Sequence, residues 1–166
     1  MNITFIGMSG VGKSTIGKKI ASDFRYKFID IDKIIEKEKG VSLQFLLDKV
    51  GDNEFVRLEE QVILNLPFIK NTVISPGGSV IYSEKTMNYL RSISKIVYLR
   101  SSLEEIEKRI SRNKELRGIV GLKNKTFTEI YSERVPLYER YADIQIDVLN
   151  KSPKIISQEI RKKIGI

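Results

Sequence analysis

Neither cysteine nor histidine occurs among the 166 residues. Without cysteine there are no disulfides, thiolate metal sites or thiol nucleophiles. Without histidine the commonest general base and zinc ligand is gone. Any catalysis must therefore rest on Asp, Glu, Lys, Arg and backbone amides. Long apolar runs are also missing, and none approaches the roughly 20 residues needed to cross a bilayer. The opening MNITFI carries no basic stretch, and a glycine-rich segment interrupts it before a secretory core could form. The expectation is one cytoplasmic, monomeric domain over residues 1–166 with no membrane partner.

Hydrophobic residues make up 41% and charged residues 30%, an ordinary globular balance. Lys and Arg number 29 against 21 Asp and Glu, a net charge of +8. An excess of that sign suits nucleic acid or a small polyanionic substrate. The charges are of mixed sign locally, as in Glu36-Lys37-Glu38-Lys39, and no basic recognition helix or aromatic platform accompanies them. A solvated surface and no nucleic-acid partner is the reading.

Strand-like runs at 2–6, 27–30, 72–75, 95–99 and 144–148 alternate with helix-like segments. That alternation predicts an α/β fold, a three-layer α/β/α sandwich around a five-stranded parallel sheet. Helix starts are legible at Ser102-Leu103-Glu104-Glu105 and Thr126-Phe127-Thr128-Glu129, both capping-box patterns, and at Ser152-Pro153. Over residues 52–66, Phe55, Leu58, Val62 and Leu66 recur at helical spacing, predicting an apolar stripe that packs on the sheet beside a polar face of Arg57, Glu60 and Gln61. Residues 113–126 combine two glycines, many charges and weak periodicity between two helices, and read as a mobile lid.

Residues 7–14, GMSGVGKS, follow the first strand directly and satisfy G-x-x-x-x-G-K-[ST]. Glycines at such a turn let backbone amides converge on phosphates, and the helix starting near Lys13 aims its positive end at them. Gly10, Val11, Gly12, Lys13, Ser14 and Thr15 form the expected nucleotide cradle. Lys13 would neutralise β- and γ-phosphate charge and Ser14 would ligate magnesium, so the cofactors expected are ATP and Mg²⁺. A turn that binds nothing is the bland alternative. The apolar strand before it and the Ile16, Ile20, Phe24 face after it argue against that.

Asp30-Ile31-Asp32 sits at the carboxyl end of the second strand, where open α/β sheets bind ligands. One carboxylate can orient magnesium while the other grips a hydroxyl; equally, Asp32 could simply cap the helix beginning near Lys33.

With FIDID in view the chain resembles the shikimate kinase family of P-loop, nucleoside-monophosphate-kinase-like enzymes. The resemblance continues through GDNEF, RLEE, SPGGSV, an arginine in a lid and ERVPLYERYAD, in that order. It implies a small kinase with a substrate-binding helical region at about 32–62 and a lid at about 112–125 that closes over ATP. It implies transfer of the γ-phosphate to a hydroxyl of shikimate, giving 3-phosphoshikimate. By the same resemblance Asp30 matches the magnesium-linked Asp and Asp32 the hydroxyl-binding Asp. Arg117 matches the lid arginine on the phosphates and Arg134 an arginine holding the substrate carboxylate. Gly77 and Gly78 belong to the acceptor side, and Arg109 or Arg112 flanks the adenine. The catalytic residues expected are thus Lys13, Asp32 and Arg117.

The chain departs from the family pattern in three places. The helix after Gly51-Asp52 usually reads Phe-Arg, that arginine being a main carboxylate clamp, whereas Phe55 is followed by Val56. Arg57 is next door, but one residue turns about 100° around a helix, so it cannot take the same direction. The clamp is expected to be missing and Val56 to present an apolar wall to the acceptor. Pro76 replaces the first of three consecutive glycines, and Gly118 follows the lid arginine where proline is usual. These departures keep two alternatives open: the same chemistry on another small hydroxylated acceptor, or an ATP-binding regulatory protein without turnover.

Overall fold

A computed structural model describes residues 1–67, 69–112 and 118–165. Five strands, β1 (Ile3–Ile6), β2 (Lys27–Asp30), β3 (Thr72–Ser75), β4 (Lys95–Arg100) and β5 (Ile144–Asp147), form one parallel sheet in the order β2-β3-β1-β4-β5. Eight helices accompany them: α1 (Lys13–Phe24), α2 (Ile31–Lys39), α3 (Leu43–Val50), α4 (Asp52–Leu64), α5 (Glu84–Ile93), α6 (Leu103–Arg112), α7 (Phe127–Tyr141) and α8 (Pro153–Ile164). A 3-10 turn over Gly78–Tyr82 follows β3.

The central strands β1 and β3 are buried at every position, as a parallel sheet covered on both faces requires, while the edge strands β2 and β5 are partly open. Alternate side chains feed two cores. Ile3, Phe5, Val73, Val97 and Leu99 pack with Ile16 and Ile20 of α1 and Ile156 and Ile160 of α8. Ile6, Ile74, Ile96 and Tyr98 turn to the other face, with Ile35, Phe55, Met87, Leu90, Ile130 and Tyr138. The expected three layers are therefore present.

Local signals act largely as the sequence indicates. Thr126 and Glu129 close both halves of a capping box on α7, and Ser152 caps α8 with Pro153 at its first position. At α6, Ser102 accepts from the Glu105 N–H, but the Glu105 carboxylate is committed to Arg109 Nε at 2.8 Å. Helix α2 starts at Ile31, two residues earlier than expected. Asp30 is its N-cap, accepting from the Lys33 N–H, so Asp32 lies inside the first turn and is not the cap.

Helix α4 corrects the predicted stripe. The buried line is Phe55, Glu59 and Ile63, spaced four apart, and the helix packs mainly on α2, α3, α5 and the 3-10 turn rather than on the strands. Leu58, Val62 and Leu66 are half-buried and line a surface groove toward Ile34 of α2. The true face is displaced by one residue because a carboxylate occupies its middle position.

Candidate active site

Strand β1 delivers the chain into residues 7–14, and Gly12 adopts φ 104°, a left-handed value that suits only glycine well. No side chain caps the N-terminus of α1, so its first amides remain directed at the loop they follow. Lys13 folds back along that loop, its ammonium donating to the Gly7 and Met8 carbonyls at 2.8 and 3.1 Å. Burial pulls the Lys13 pKa down to about 8, against the attraction of Asp32, and the Arg134 cation adds to the depression. Arg109 braces the loop from α6, its Nη1 donating to the Val11 carbonyl at 3.1 Å.

Ser14 Oγ donates to Asp30 Oδ2 at 2.8 Å, joining the first turn of α1 to the end of β2. Two residues on, Asp32 lines the same cavity as the loop. Burial, reinforced by repulsion from Glu59, pushes its carboxyl up to about 7, against the attraction of Lys13.

Glu59 is 1% exposed. It accepts from the Gly77 N–H at 2.7 Å and the Ser79 hydroxyl at 3.0 Å, pinning the turn after β3. Burial raises its pKa while those two hydrogen bonds oppose the rise. A β-carbon at Gly77 would stand 2.8 Å from Glu59 Oε1 and 3.2 Å from Asp32 Oδ1, so the turn passes between two carboxylates. At Gly78 a β-carbon would stand 2.9 Å from Arg134 Nη1 and 3.2 Å from Ser9 Oγ.

Arg134 of α7 is the largest of the fully buried side chains, 1% exposed. Its Nε donates to the Tyr82 hydroxyl at 3.2 Å and its Nη2 to the Val120 carbonyl at 2.7 Å. The guanidinium also lies 5.2 Å from the Tyr82 ring centre. Among the described residues no carboxylate pairs with it. Tyr138, stacked on Tyr98 with ring centres 5.1 Å apart, donates to the Gly78 carbonyl at 2.6 Å and fixes the same turn.

Most of these groups line one cavity of about 500 Å³; Asp30, Glu59, Tyr82 and Tyr138 are not on its lining. The phosphate loop from Gly10 to Thr15, Asp32, Gly77, Gly78, Arg112 and Arg134 all line it, as does Arg109. The sequence therefore names residues the fold brings together. Arg117 lies outside the described residues, as do the other lid positions 113–117. The residues that follow are held in place: Ile119 and Val120 are buried, and the Gly121 N–H donates to Asp52 at 3.1 Å.

The expectation for Val56 needs correcting. It is half-buried and packs with the apolar cluster, and the α4 residue on the cavity wall is Phe55. Arg57 is turned outward to Glu54 at 3.6 Å and contributes nothing to the cavity. Glu59 escaped notice although a signal existed: it falls four residues from both Phe55 and Ile63, a carboxylate at an apolar position. Nothing in the sequence pattern marks Tyr82 or Tyr138.

A parallel sheet whose first strand feeds a phosphate loop, with acid and cation groups across the same cavity, defines a P-loop kinase that serves a small acceptor. Comparison with known proteins narrows the class. A family model described as shikimate kinase matches residues 9–165, and the chain belongs to the shikimate kinase family. It is 39% identical over 162 residues to a shikimate kinase of Wigglesworthia glossinidia brevipalpis, covering 96% of this chain and 93% of that protein. It is 35% identical over 161 residues to one from Caldanaerobacter subterraneus, with 96% and 93% covered. The solved structure of a shikimate kinase from Acinetobacter baumannii in complex with shikimate superposes with a TM-score of 0.86 at 27% identity, over 98% of this chain and 92% of that one. Among the described residues no helix is long and apolar enough to cross a membrane.

Proposed function

We propose that the chain transfers the γ-phosphate of ATP to a ring hydroxyl of shikimate, giving 3-phosphoshikimate. The observation that carries this reading is the cavity itself, lined together by the phosphate loop, Asp32, the Gly77-Gly78 turn and Arg134. The family of the curated relatives and the shikimate held by the Acinetobacter structure support the choice of acceptor.

The donor phosphates would lie along the amides of residues 10–15, with Lys13 neutralising charge that builds on the transferring group. Ser14 and Asp30 supply oxygen donors beside the loop, a pair that suits magnesium, which takes few protein ligands and keeps phosphate oxygens and water. Bound there, Mg²⁺ would offset phosphate charge.

Asp32 positions the acceptor hydroxyl and takes its proton as the new bond forms. With its carboxyl raised to about 7 it is a better proton acceptor than an ordinary aspartate. Arg134 holds the acceptor carboxylate: a buried guanidinium with no carboxylate of its own is an anion site already desolvated. Arg112 flanks the adenine, and Arg117 of the lid reaches the phosphates. The protein works as a cytoplasmic monomer. The absence of histidine is no obstacle, since phosphoryl transfer needs positioning and electrostatics more than a strong base.

The test is ADP release in a coupled assay with MgATP and a panel of hydroxylated acceptors, the product identified by mass spectrometry. Shikimate should stimulate release above every other acceptor. No turnover at millimolar shikimate would overturn the assignment.

A further inference from the structure

Arg134 has five N–H donors in one plane, and the structure commits two edges of that plane to protein. Nη2 is tied to the Val120 carbonyl, Nε to the Tyr82 hydroxyl, and Nη1 lies against Gly78 beside the cavity. The Nε contact has an unusual construction. A tyrosine hydroxyl has a single hydrogen, and Tyr82 gives it to Glu133 Oε1 at 2.5 Å. Its lone pairs are thereby turned toward Arg134, whichever way the side chain would otherwise rotate its proton.

Glu133 precedes Arg134 in α7 and, leaving the helix about 100° away, does not pair with it directly. Instead it is ion-paired with Lys125 and bonded to Tyr82, and the hydroxyl stands between the carboxylate and the guanidinium. A direct Glu133–Arg134 pair would quench the cation. A hydroxyl polarised by Glu133 fixes the orientation of the guanidinium and leaves its charge for a ligand.

We propose that Tyr82 is a positioning residue for acceptor specificity: with Glu133 behind it, it holds the Arg134 fork facing the cavity so that a single arginine can grip an acceptor's carboxylate. The proposal rests on the reading of Arg134 as the carboxylate grip. It also bears on Val56, because a chain with a valine at the usual clamp position depends on the arginine it keeps being held rigidly.

The test compares shikimate with its carboxamide analogue, which keeps the ring and hydroxyls but lacks the charge. In Tyr82→Phe the ring remains and the hydroxyl is lost. KM for shikimate should rise about tenfold, the size of one hydrogen bond to a charged group. KM for ATP and KM for the carboxamide should move far less. Equal weakening of shikimate and carboxamide would overturn the proposal, since Tyr82 would then only shape the pocket. Arg134→Lys separates the two layers of inference. If it raises KM for shikimate and Tyr82→Phe does not, the role of Tyr82 is wrong; if Arg134→Lys leaves KM unchanged, the carboxylate reading falls and the proposal with it.

Discussion

Glu59→Gln isolates the electrostatics of the acceptor wall. The amide keeps the shape of the carboxylate and can still accept from the Gly77 N–H, but it removes a negative charge facing Asp32. From the geometry at Gly77, the nearest oxygens of the two carboxylates lie within about 6 Å of one another. At an effective dielectric of about 20 such a pair repels by roughly 2–3 kcal/mol, or about two pH units in the titration of Asp32. In the proposed transfer Asp32 must be ionised to accept the hydroxyl proton, so activity in the parent should rise through about pH 7. It should fall above about pH 8 as Lys13 loses its proton. The two groups interact, so these limbs belong to the pair. Removing the Glu59 charge should carry the acid limb down toward pH 5. It should lower the alkaline limb as well, because Glu59 also supports the Lys13 ammonium. The measurement is kcat/KM from pH 5 to 10 at constant ionic strength with magnesium-saturated ATP, parent and variant side by side so that substrate ionisation cancels. A variant profile superimposable on the parent's would refute the reasoning, because Glu59 would then carry no charge that Asp32 senses.

Val56→Arg should leave KM for shikimate unchanged, because Val56 packs with the apolar cluster and Phe55 holds the α4 place on the cavity wall; steady-state titration of shikimate reads it. Asp32→Asn should cut turnover by about 100-fold or more while nucleotide affinity, followed by calorimetry, is kept. The same variant should be the more stable protein at pH 7.5. Folded Asp32 keeps its proton up to about 7 and unfolded Asp32 releases it near 3.8, so between those values the folded state binds more protons and loses stability as pH rises. Asparagine escapes that loss. Urea melts should show a gain of about 1–3 kcal/mol at pH 7.5 that shrinks toward zero at pH 4.

What the sequence made legible follows the range of the interactions involved. Strands and phosphate loop are local patterns, set by runs of apolar residues and by glycines within eight positions, and they fall where the structure has them. The sequence places Asp30 and Asp32 at a strand end, yet which of them caps α2 depends on a start two residues away. Helix α4 was misread because a hydrophobic stripe is found by counting apolar residues. Glu59 sits inside the true stripe, so the count slid by one residue to Leu58, Val62 and Leu66. Its burial is stabilised by Gly77 and Ser79, 18 and 20 residues away, and no periodicity reports partners at that distance. The Tyr82 contact with Arg134 spans 52 residues and is equally silent.

The strand order β2-β3-β1 has a metric consequence. These three neighbours end, respectively, in Asp30, in Ser75 ahead of the acceptor turn, and in Ile6 ahead of the phosphate loop. Parallel strands lie about 4.8 Å apart, so the outer two of the three are separated by roughly 10 Å. The acceptor turn leaves the middle strand, one spacing from the phosphate loop after β1 and one from Asp30 at the end of β2. Hydrogen bonds of the sheet thus act as a ruler across the site, and the side chains are left with the finer task of aiming what it spaces.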